Sequence, residues 1–421
     1  MTQPIPEPAG LGPRFGALAE REFRLLFLGR VVSFFGNAIA IVALAFAVLD
    51  LTGSQSKLGL VLAARALPQV VFLLVGGVWA DRLPRNLVMV GSNLVSAGVQ
   101  ALVAFVLLTG TAELWHLIAL QAVGGAASAF FFPASSGAVP QTVSPARLQE
   151  ANALLRLSIN ATTIGGAAAG GLLVAGVGPG WTIAIDACTY LLGAAFLAPM
   201  RLRAAARAVA GSSFLRELIE GWNEFRSRTW LWVIVVEFAF LNAAANTSFA
   251  VLGPTVAKRD LGGPAAWGAI LTGEAVGLVL GGLLALRIRP ARPLLVASGA
   301  IALLAPPFDL LGLGAPVAAI AGAAVIGGIG IEIFGVLWDT TMQQQIPAEA
   351  LARVYSYDAL GSFVLMPIGF AVVGPISNVV GISATLYGVA ALIVVCVGLI
   401  LTIGDVRTLG RREAPPTVSR P

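Results

Sequence analysis

Charged residues are scarce in this sequence, and cysteine and histidine are scarcer still. Asp, Glu, Lys and Arg make up only 11% of the 421 residues, whereas a soluble domain carries about 25%. The two cysteines, Cys188 and Cys396, lie in apolar runs and are too few for a disulfide framework or a metal site. The sequence also lacks a Walker A loop, a catalytic constellation and a basic block interleaved with aromatic residues. We therefore expect neither a directly ATP-driven pump, nor an enzyme, nor a nucleic-acid-binding protein.

Long apolar runs recur from end to end. Hydrophobic residues make up 57% of the chain, and the mean hydropathy is +0.89. Many runs approach the ~20 residues that a helix needs to cross a bilayer, and they do not alternate as the strands of a membrane barrel do. The sequence therefore predicts an all-α polytopic membrane protein. Charges, prolines and glycines divide it into twelve predicted spans, which cover residues 23–50, 57–80, 86–109, 114–140, 152–177, 181–200, 230–254, 265–286, 292–313, 315–341, 354–378 and 381–404.

Basic residues set the predicted orientation. With the N-terminus in the cytoplasm, 20 of the 26 Lys and Arg residues fall in cytoplasmic segments, three fall outside and three lie within spans. Because basic residues accumulate on the cytoplasmic side, we expect both termini there, in a multi-pass protein of the plasma or inner membrane. The predicted parts are a tail (1–22), a six-helix bundle (23–200), a linker with an amphipathic helix (201–229), a second six-helix bundle (230–404) and a second tail (405–421).

The two halves repeat one another weakly. Asn37 in span one and Asn242 in span seven lie 205 residues apart. Two bundles related by an axis along the membrane normal, with a binding site between them, form a transporter architecture. Four residues near the end of span two recur at the same offset near the end of span eight, as Gly76 and Gly281, Gly77 and Gly282, Ala80 and Ala285, and Arg82 and Arg287.

The stretch GGVWADRLPRN follows span two and fits the pattern Gly-x-x-x-Asp-Arg-x-x-Arg. It resembles the loop 2–3 signature of the major facilitator superfamily. The resemblance implies twelve transmembrane helices in two pseudo-symmetric bundles and a role for the signature in latching the cytoplasmic gate. The matching residues are Gly77, Asp81, Arg82 and Arg85.

Three longer stretches resemble the drug and siderophore exporter branch, which includes macrolide efflux proteins and the enterobactin exporter. They are VLAARALPQVVFLLVGGVWADRLPR, FFFPASSGAVPQTVSPARLQEANAL and QQQIPAEALARVYSYDALGS. The resemblance implies proton-coupled efflux of a hydrophobic or amphipathic drug, antibiotic or siderophore. Span five departs from the antiporter pattern, since Gly166 stands in the proline position. An importer or facilitator, or a transport-inactive scaffold or sensor, remains the alternative.

Ionisable residues interrupt the predicted spans, at a cost of about 2.5–3.5 kcal/mol each. All three embedded arginines belong to the first half and five of the six embedded acids to the second. This separation predicts ion pairs between the halves, with Arg65, Arg156 and Asp358 as candidates. For Arg65, extension toward the lipid headgroups is the alternative. The arginines are Arg30, Arg65 and Arg156, and the acids are Asp186, Glu237, Glu274, Glu332, Asp339 and Asp358.

Three glutamates are candidates for proton coupling. Glu237 lies about two turns into span seven, Glu274 lies near the middle of span eight, and Glu332 lies in span ten. Desolvation disfavours the charged form of a carboxyl group, as a proton-carrying site requires. A static contact between helices is the alternative role for each.

The family resemblance also places spans one, four, seven and ten around a central cavity. It implies a small-molecule substrate, protons and the lipid bilayer as partners, a proton gradient as the driving force, no cofactor or metal, and a monomer. Arginine suits an anionic substrate and the acids suit a cation, so both stay open. Helix packing is the alternative role for the aromatic residues among the candidates, which are Arg30, Phe34, Gln121, Phe131, Phe334, Trp338 and Asp339.

Overall fold

The secondary structure is helical throughout the part of the chain that the computed structural model describes. This part comprises residues 16–80, 84–144, 147–202 and 221–410. We number the long helices α1 to α12 in chain order. The first four are α1 (Arg21–Thr52), α2 (Gln55–Ala80), α3 (Arg85–Leu108) and α4 (Leu114–Thr142).

A 50-residue helix, Leu148–Leu197, occupies the place of two predicted spans. Gly178 breaks it with φ 83° and ψ 167°, a conformation that glycine adopts easily because it lacks a Cβ. We call the two arms α5 (148–177) and α6 (179–197). Gly170 of α5 packs on Ile39 of α1, and Gly193 of α6 packs on Gly29. The chain therefore reverses direction at Gly178, so that both arms run along α1.

Six further helices form the second half. Residues 221–226, at the end of the predicted linker, are also helical, and the Trp222 ring contacts that of Tyr357 in the second half at a tilted angle of 56°. The helices are α7 (Thr229–Asp260), α8 (Pro264–Ala285), α9 (Pro293–Gly312), α10 (Val317–Gln345), α11 (Ala348–Phe363, continued by Met366–Val380) and α12 (Ile382–Thr402).

The helix lengths and composition confirm an all-α polytopic membrane protein. Among the described residues, ten helices are long and apolar enough to cross a membrane, with the 50-residue helix counted once. Each of the twelve predicted spans falls on helix. Hydropathy therefore placed the predicted spans on helices, the structure that satisfies most backbone hydrogen bonds within one segment.

Helix α7 contains a wider turn near its middle. The segment Asn242–Asn246 is π-helical, and the backbone N–H of Thr247 donates to the carbonyl oxygen of Asn242. A π-helical turn inserts one residue into an α-helix and often marks a functional site. It changes which side chains α7 turns toward its neighbours on either side of the insertion.

Backbone contacts join the two halves at the predicted outer end. A Cβ atom on Gly59 of α2 would lie 2.2 Å from the carbonyl oxygen of Phe370 in α11. On the other side of the molecule, a Cβ on Gly171 of α5 would lie 2.9 Å from Cα of Gly268 in α8. These distances are shorter than van der Waals contact, so only glycine permits this helix packing.

Polar side chains reinforce the same end. Lys258 Nζ of α7 lies 2.5 Å from Asp50 Oδ1 of α1. Gln55 of α2 donates to Asn378 Oδ1 of α11 at 2.6 Å. The halves are therefore closed against each other at the predicted outer end.

We expect Gly59→Val to open this end. The added side chain has no space against the Phe370 carbonyl, so α2 and α11 must separate. Spin labels on Thr111→Cys and Leu313→Cys, in a protein whose native cysteines are serine, report the separation by double electron–electron resonance. Both positions are exposed at the predicted outer end.

The matched control is Gly98→Val on α3, where an added Cβ meets no atom within 4 Å. Gly59→Val should add a population at longer distance, and Gly98→Val should leave the distances as in the parent. Identical distance distributions for the two variants would show that the glycine contact does not hold the end closed.

Candidate binding cavity

A cavity of about 810 Å³ lies mainly within the second half. Helices α7 to α12 form most of its wall, and Ile41 and Ala45 of α1 with Leu62 of α2 complete it from the first half. This volume falls within the range of pockets that bind drug-sized molecules. The cavity therefore lies at the junction of the two halves, but its described polar and aromatic lining residues belong to the second half.

Aromatic side chains dominate the wall. The rings of Phe238 and Phe334 stack with centroids 4.3 Å apart, and Phe334 stacks on Trp338 at 5.8 Å. Such faces bind apolar groups and, through their quadrupoles, cations. Phe334 and Trp338 are thus candidates that do line the cavity. The described aromatic lining residues are Phe238, Phe249, Trp267, Phe308, Phe334, Trp338, Tyr355, Phe363 and Phe370.

Three acids share this aromatic wall, and no Lys, Arg or His accompanies them among the described lining residues. Asp358 accepts a hydrogen bond from Trp338 Nε1 at 3.1 Å, and Asp339 accepts one from the Tyr355 hydroxyl at 3.1 Å. Glu274 of α8 accepts no hydrogen bond from any described residue. The cavity therefore presents a net negative site with one carboxyl group free to take a partner.

The π-helical turn of α7 contributes amide groups to the same wall. Asn242 and Asn246 line the cavity, and Asn242 Nδ2 donates to the Ser362 carbonyl oxygen of α11 at 3.0 Å. The Ser362 hydroxyl in turn donates to Asp358 Oδ1 at 3.4 Å. Polar contacts thus connect the distorted turn of α7 to an acid of the cavity.

Glu237 lies behind this wall and not in it. It is 6% exposed, and neither carboxyl oxygen has a hydrogen-bond partner among the described residues. The next residue, Phe238, lines the cavity, whereas Glu237 is not among the described lining residues. The two glutamates on α7 and α8 therefore occupy different surroundings.

One pair of opposite charges bridges the halves toward the predicted cytoplasmic end. Arg156 Nη2 of α5 lies 3.9 Å from Asp339 Oδ2 of α10. Glu332, two turns earlier on α10, interacts with the same arginine and packs beside Gly282 of α8. The Arg156 side chain is 78% exposed, so this cluster borders open space and can separate at little cost.

Arg65 differs from both readings that the sequence left open. Its guanidinium donates to Gln121 Oε1 and Asn37 Oδ1, each at 3.1 Å. Gln121 donates to Gln100 Oε1 at 3.5 Å, and Gln100 donates to the buried Asp186 Oδ2 at 2.6 Å. Arg65 therefore joins a polar network inside the first half. It neither bridges the halves nor extends to the headgroups, because its partners lie on two neighbouring helices of the first half, α1 and α4.

The other first-half candidates lie outside the cavity wall. Arg30 is 6% exposed and sits over the Phe34 ring at 5.2 Å. Phe34 meets Phe131 edge-on at 6.2 Å, and Gln121 belongs to the network of Arg65. Asp358 was expected to pair across the halves. It instead accepts hydrogen bonds within the second half, from Trp338 of α10 and from Ser362, which lies one turn later on α11.

The gate signature falls largely outside the described residues. Asp81 and Arg82 lie there, and Gly77 belongs to a part of α2 described by its backbone alone. Arg85 begins α3 and donates a hydrogen bond to the Gly137 carbonyl of α4. The gate role of the four residues therefore stays a prediction.

Sequence reasoning missed several residues of the wall. Asn246 and Phe238 carry no charge and match no motif, and Tyr355 lies in the stretch QQQIPAEALARVYSYDALGS without a role assigned to it. Asn242 had one signal, its repeat relation to Asn37. A helical wheel of span seven would not have predicted which of its residues line the cavity. The π-helical turn changes the direction in which the side chains before and after it point.

Two helical halves in a membrane, closed at one end around a cavity at their junction, define a secondary transporter. The chain matches the family model of the Major Facilitator Superfamily over residues 26–370. It belongs to this family, and it is a multi-pass membrane protein whose fold serves a small-molecule substrate.

Relatives and solved structures agree with this assignment. The multidrug efflux pump Tap of Mycolicibacterium fortuitum is 26% identical over 83% of this chain and 88% of its own. Macrolide efflux protein A of Streptococcus pyogenes is 22% identical over 92% and 97%. The crystal structure of nucleoside transporter NupG superposes with a TM-score of 0.71 at 13% identity, over 90% of this chain and 98% of that one. The last similarity concerns the fold alone.

We expect Gln100→Leu to destabilise the first half. The substitution leaves Asp186 Oδ2 without its donor in a buried position, at a cost of about 2–3 kcal/mol of unfolding free energy. Thermal unfolding in one detergent measures the change. The control is Gln69→Leu, since Gln69 is exposed and makes no hydrogen bond within the described residues. Equal melting temperatures for the two variants would show that the network does not support the fold.

Proposed function

We propose that this chain is a proton-coupled exporter of hydrophobic organic cations. The observation that carries the proposal is the composition of the cavity wall. It combines stacked aromatic rings with Glu274, Asp339 and Asp358 and contributes no described basic residue. The wall favours ligands that are both apolar and positively charged.

Glu274 supplies the main electrostatic argument. A charged carboxylate away from water needs a partner, and the described residues offer Glu274 none. A cationic ligand in the cavity would be that partner, while the rings of Phe238, Phe334 and Trp338 would contact its apolar body. An anionic siderophore would meet three acids instead, so the wall argues against it.

The relatives support the direction of transport. Tap and macrolide efflux protein A are efflux proteins by name, and each aligns over most of this chain. A proton gradient is the energy source that suits an acid-rich membrane interior without an ATP site. Import or facilitated passage of a small solute is the competing function.

The contacts between the halves suit alternating access. The predicted outer end is closed by backbone contacts at Gly59 and Gly171. The ion pair of Arg156 and Asp339 bridges the other end at 3.9 Å, a distance at which it is weak and exposed. A substrate would therefore enter the cavity from the predicted cytoplasmic side.

We expect the purified protein to bind tetraphenylphosphonium and not tetraphenylborate, which has the same shape and the opposite charge. Glu274→Gln should weaken binding of the cation by about tenfold or more, because it removes an unpaired carboxylate next to the ligand. Titration calorimetry measures both affinities. The matched control is Asp405→Asn, in the exposed short helix Gly404–Thr408.

Transport in liposomes decides the direction. Uptake of tetraphenylphosphonium driven by an outward proton gradient, in the population of molecules whose cytoplasmic face points outward, would support export. Equal affinity for the cation and the anion would contradict the cation site. Transport that dissipates a substrate gradient without proton movement would favour the facilitator.

A further inference from the structure

We propose that the coupled proton is carried by Glu237, behind the cavity wall, and that substrate and proton occupy different carboxyl groups. The inference rests on the proposed function, since it assigns the proton step of that same transport cycle. It separates two roles that the sequence assigned to one set of glutamates.

The wall of α7 divides the two sites. Phe238 lines the cavity and stacks on Phe334, whereas Glu237 is buried and is not among the described residues that line the cavity. Glu274 borders the cavity from α8. A ligand that contacts Glu274 therefore does not displace the proton of Glu237 by direct competition.

The surroundings of Glu237 favour its neutral form in this conformation. Both oxygens are buried and lack a donor among the described residues, and burying an unpaired carboxylate costs several kcal/mol. In this buried position the protonated acid therefore has a lower free energy than the carboxylate.

Among the described residues, no side chain donates a hydrogen bond to Glu237. Tyr355 and Asp358 of α11 and Asp339 of α10 line the cavity, on the other side of the wall. The remaining described titratable groups on α10, α11 and α12 are Glu332, Arg353, Tyr357, Tyr387 and Cys396. The short helix Gly404–Thr408 packs at the beginning of α7 and carries the exposed Asp405 and Arg407.

The position of Glu237 gives its proton a short route to one side. It lies eight residues after Thr229, at which α7 begins, which is about 12 Å along the helix. The predicted cytoplasmic end of α7 is therefore near. On release, the acid becomes a carboxylate and the proton passes to water at that end. On uptake from the outer side, the carboxylate takes one proton and becomes neutral again.

The π-helical turn connects this change to the cavity. It begins at Asn242, five residues after Glu237. A turn of this kind can convert to α-helix, and the helical register then shifts by one residue. Asn242 is bonded to Ser362 on the cavity wall. When Glu237 is charged, its carboxylate has to reach water. A change of helical register at this turn allows the part of α7 before Asn242 to move without unwinding.

The test compares Glu237→Gln with Glu274→Gln in liposomes. Glutamine keeps the size of the neutral acid and cannot release a proton. Glu237→Gln should bind tetraphenylphosphonium within about twofold of the parent and should exchange it across the membrane at equilibrium. It should fail to accumulate the cation in response to a proton gradient. Glu274→Gln should lose binding itself.

Labelling with dicyclohexylcarbodiimide, which reacts with protonated carboxyl groups in apolar surroundings, provides a second measurement that needs no transport. Peptide mass spectrometry should find Glu237 modified in the parent protein, with Asp405 as the unreactive control. Asp405 is exposed and therefore lacks the apolar surroundings that this reaction requires.

Two results would overturn the inference. One is gradient-driven accumulation by Glu237→Gln at the parent rate. The other is loss of cation binding in this variant as severe as in Glu274→Gln. If the parent binds no cation, the proposed function fails separately, and the labelling of Glu237 still decides whether it holds a proton.

Discussion

The fold depends on one constraint, which is that a charge inside a membrane has to be paired, hydrated or neutral. The two halves meet it differently. The first half encloses Arg65 and Asp186 in one network of amide groups, in which every link is a hydrogen bond. The second half keeps Glu237 and Glu274 apart from any described donor and leaves open space beside one of them. The first half thus pairs these buried charges, and the second leaves two carboxyl groups without a described donor.

The same constraint explains what the sequence predicted well. Apolar runs and the charges between them located the helices, because span length follows from bilayer thickness and not from tertiary packing. The separation of arginines and acids between the halves predicted a pair across the interface, and the structure places Arg156 beside Asp339. The reversal at Gly178 lies in the gap between the predicted spans 152–177 and 181–200.

The direction in which each side chain points from its helix was harder to predict from the sequence. Arg65 was expected to extend toward the lipid headgroups or to pair across the halves. Its partners instead lie on other helices of the first half, and the sequence does not show which of those helices are neighbours. Glu237 and Glu274 were both candidates from the sequence, and only the structure separates them, because Glu274 lines the cavity and Glu237 is buried outside its described lining. The repeat relation of Asn37 and Asn242 shows how the halves diverged. The first asparagine accepts from Arg65 in a closed network, while the second begins a distorted turn beside a cavity.

The glycine contacts at the outer end have a consequence for energy conservation. Where Gly59 meets the Phe370 carbonyl and Gly171 meets Gly268, backbone touches backbone, and no side chain or water file fits between the helices. We expect little leakage of ions at these two contacts, because ions cross proteins through water or along polar groups. In a transporter driven by an ion gradient, that gradient would then be kept between turnovers.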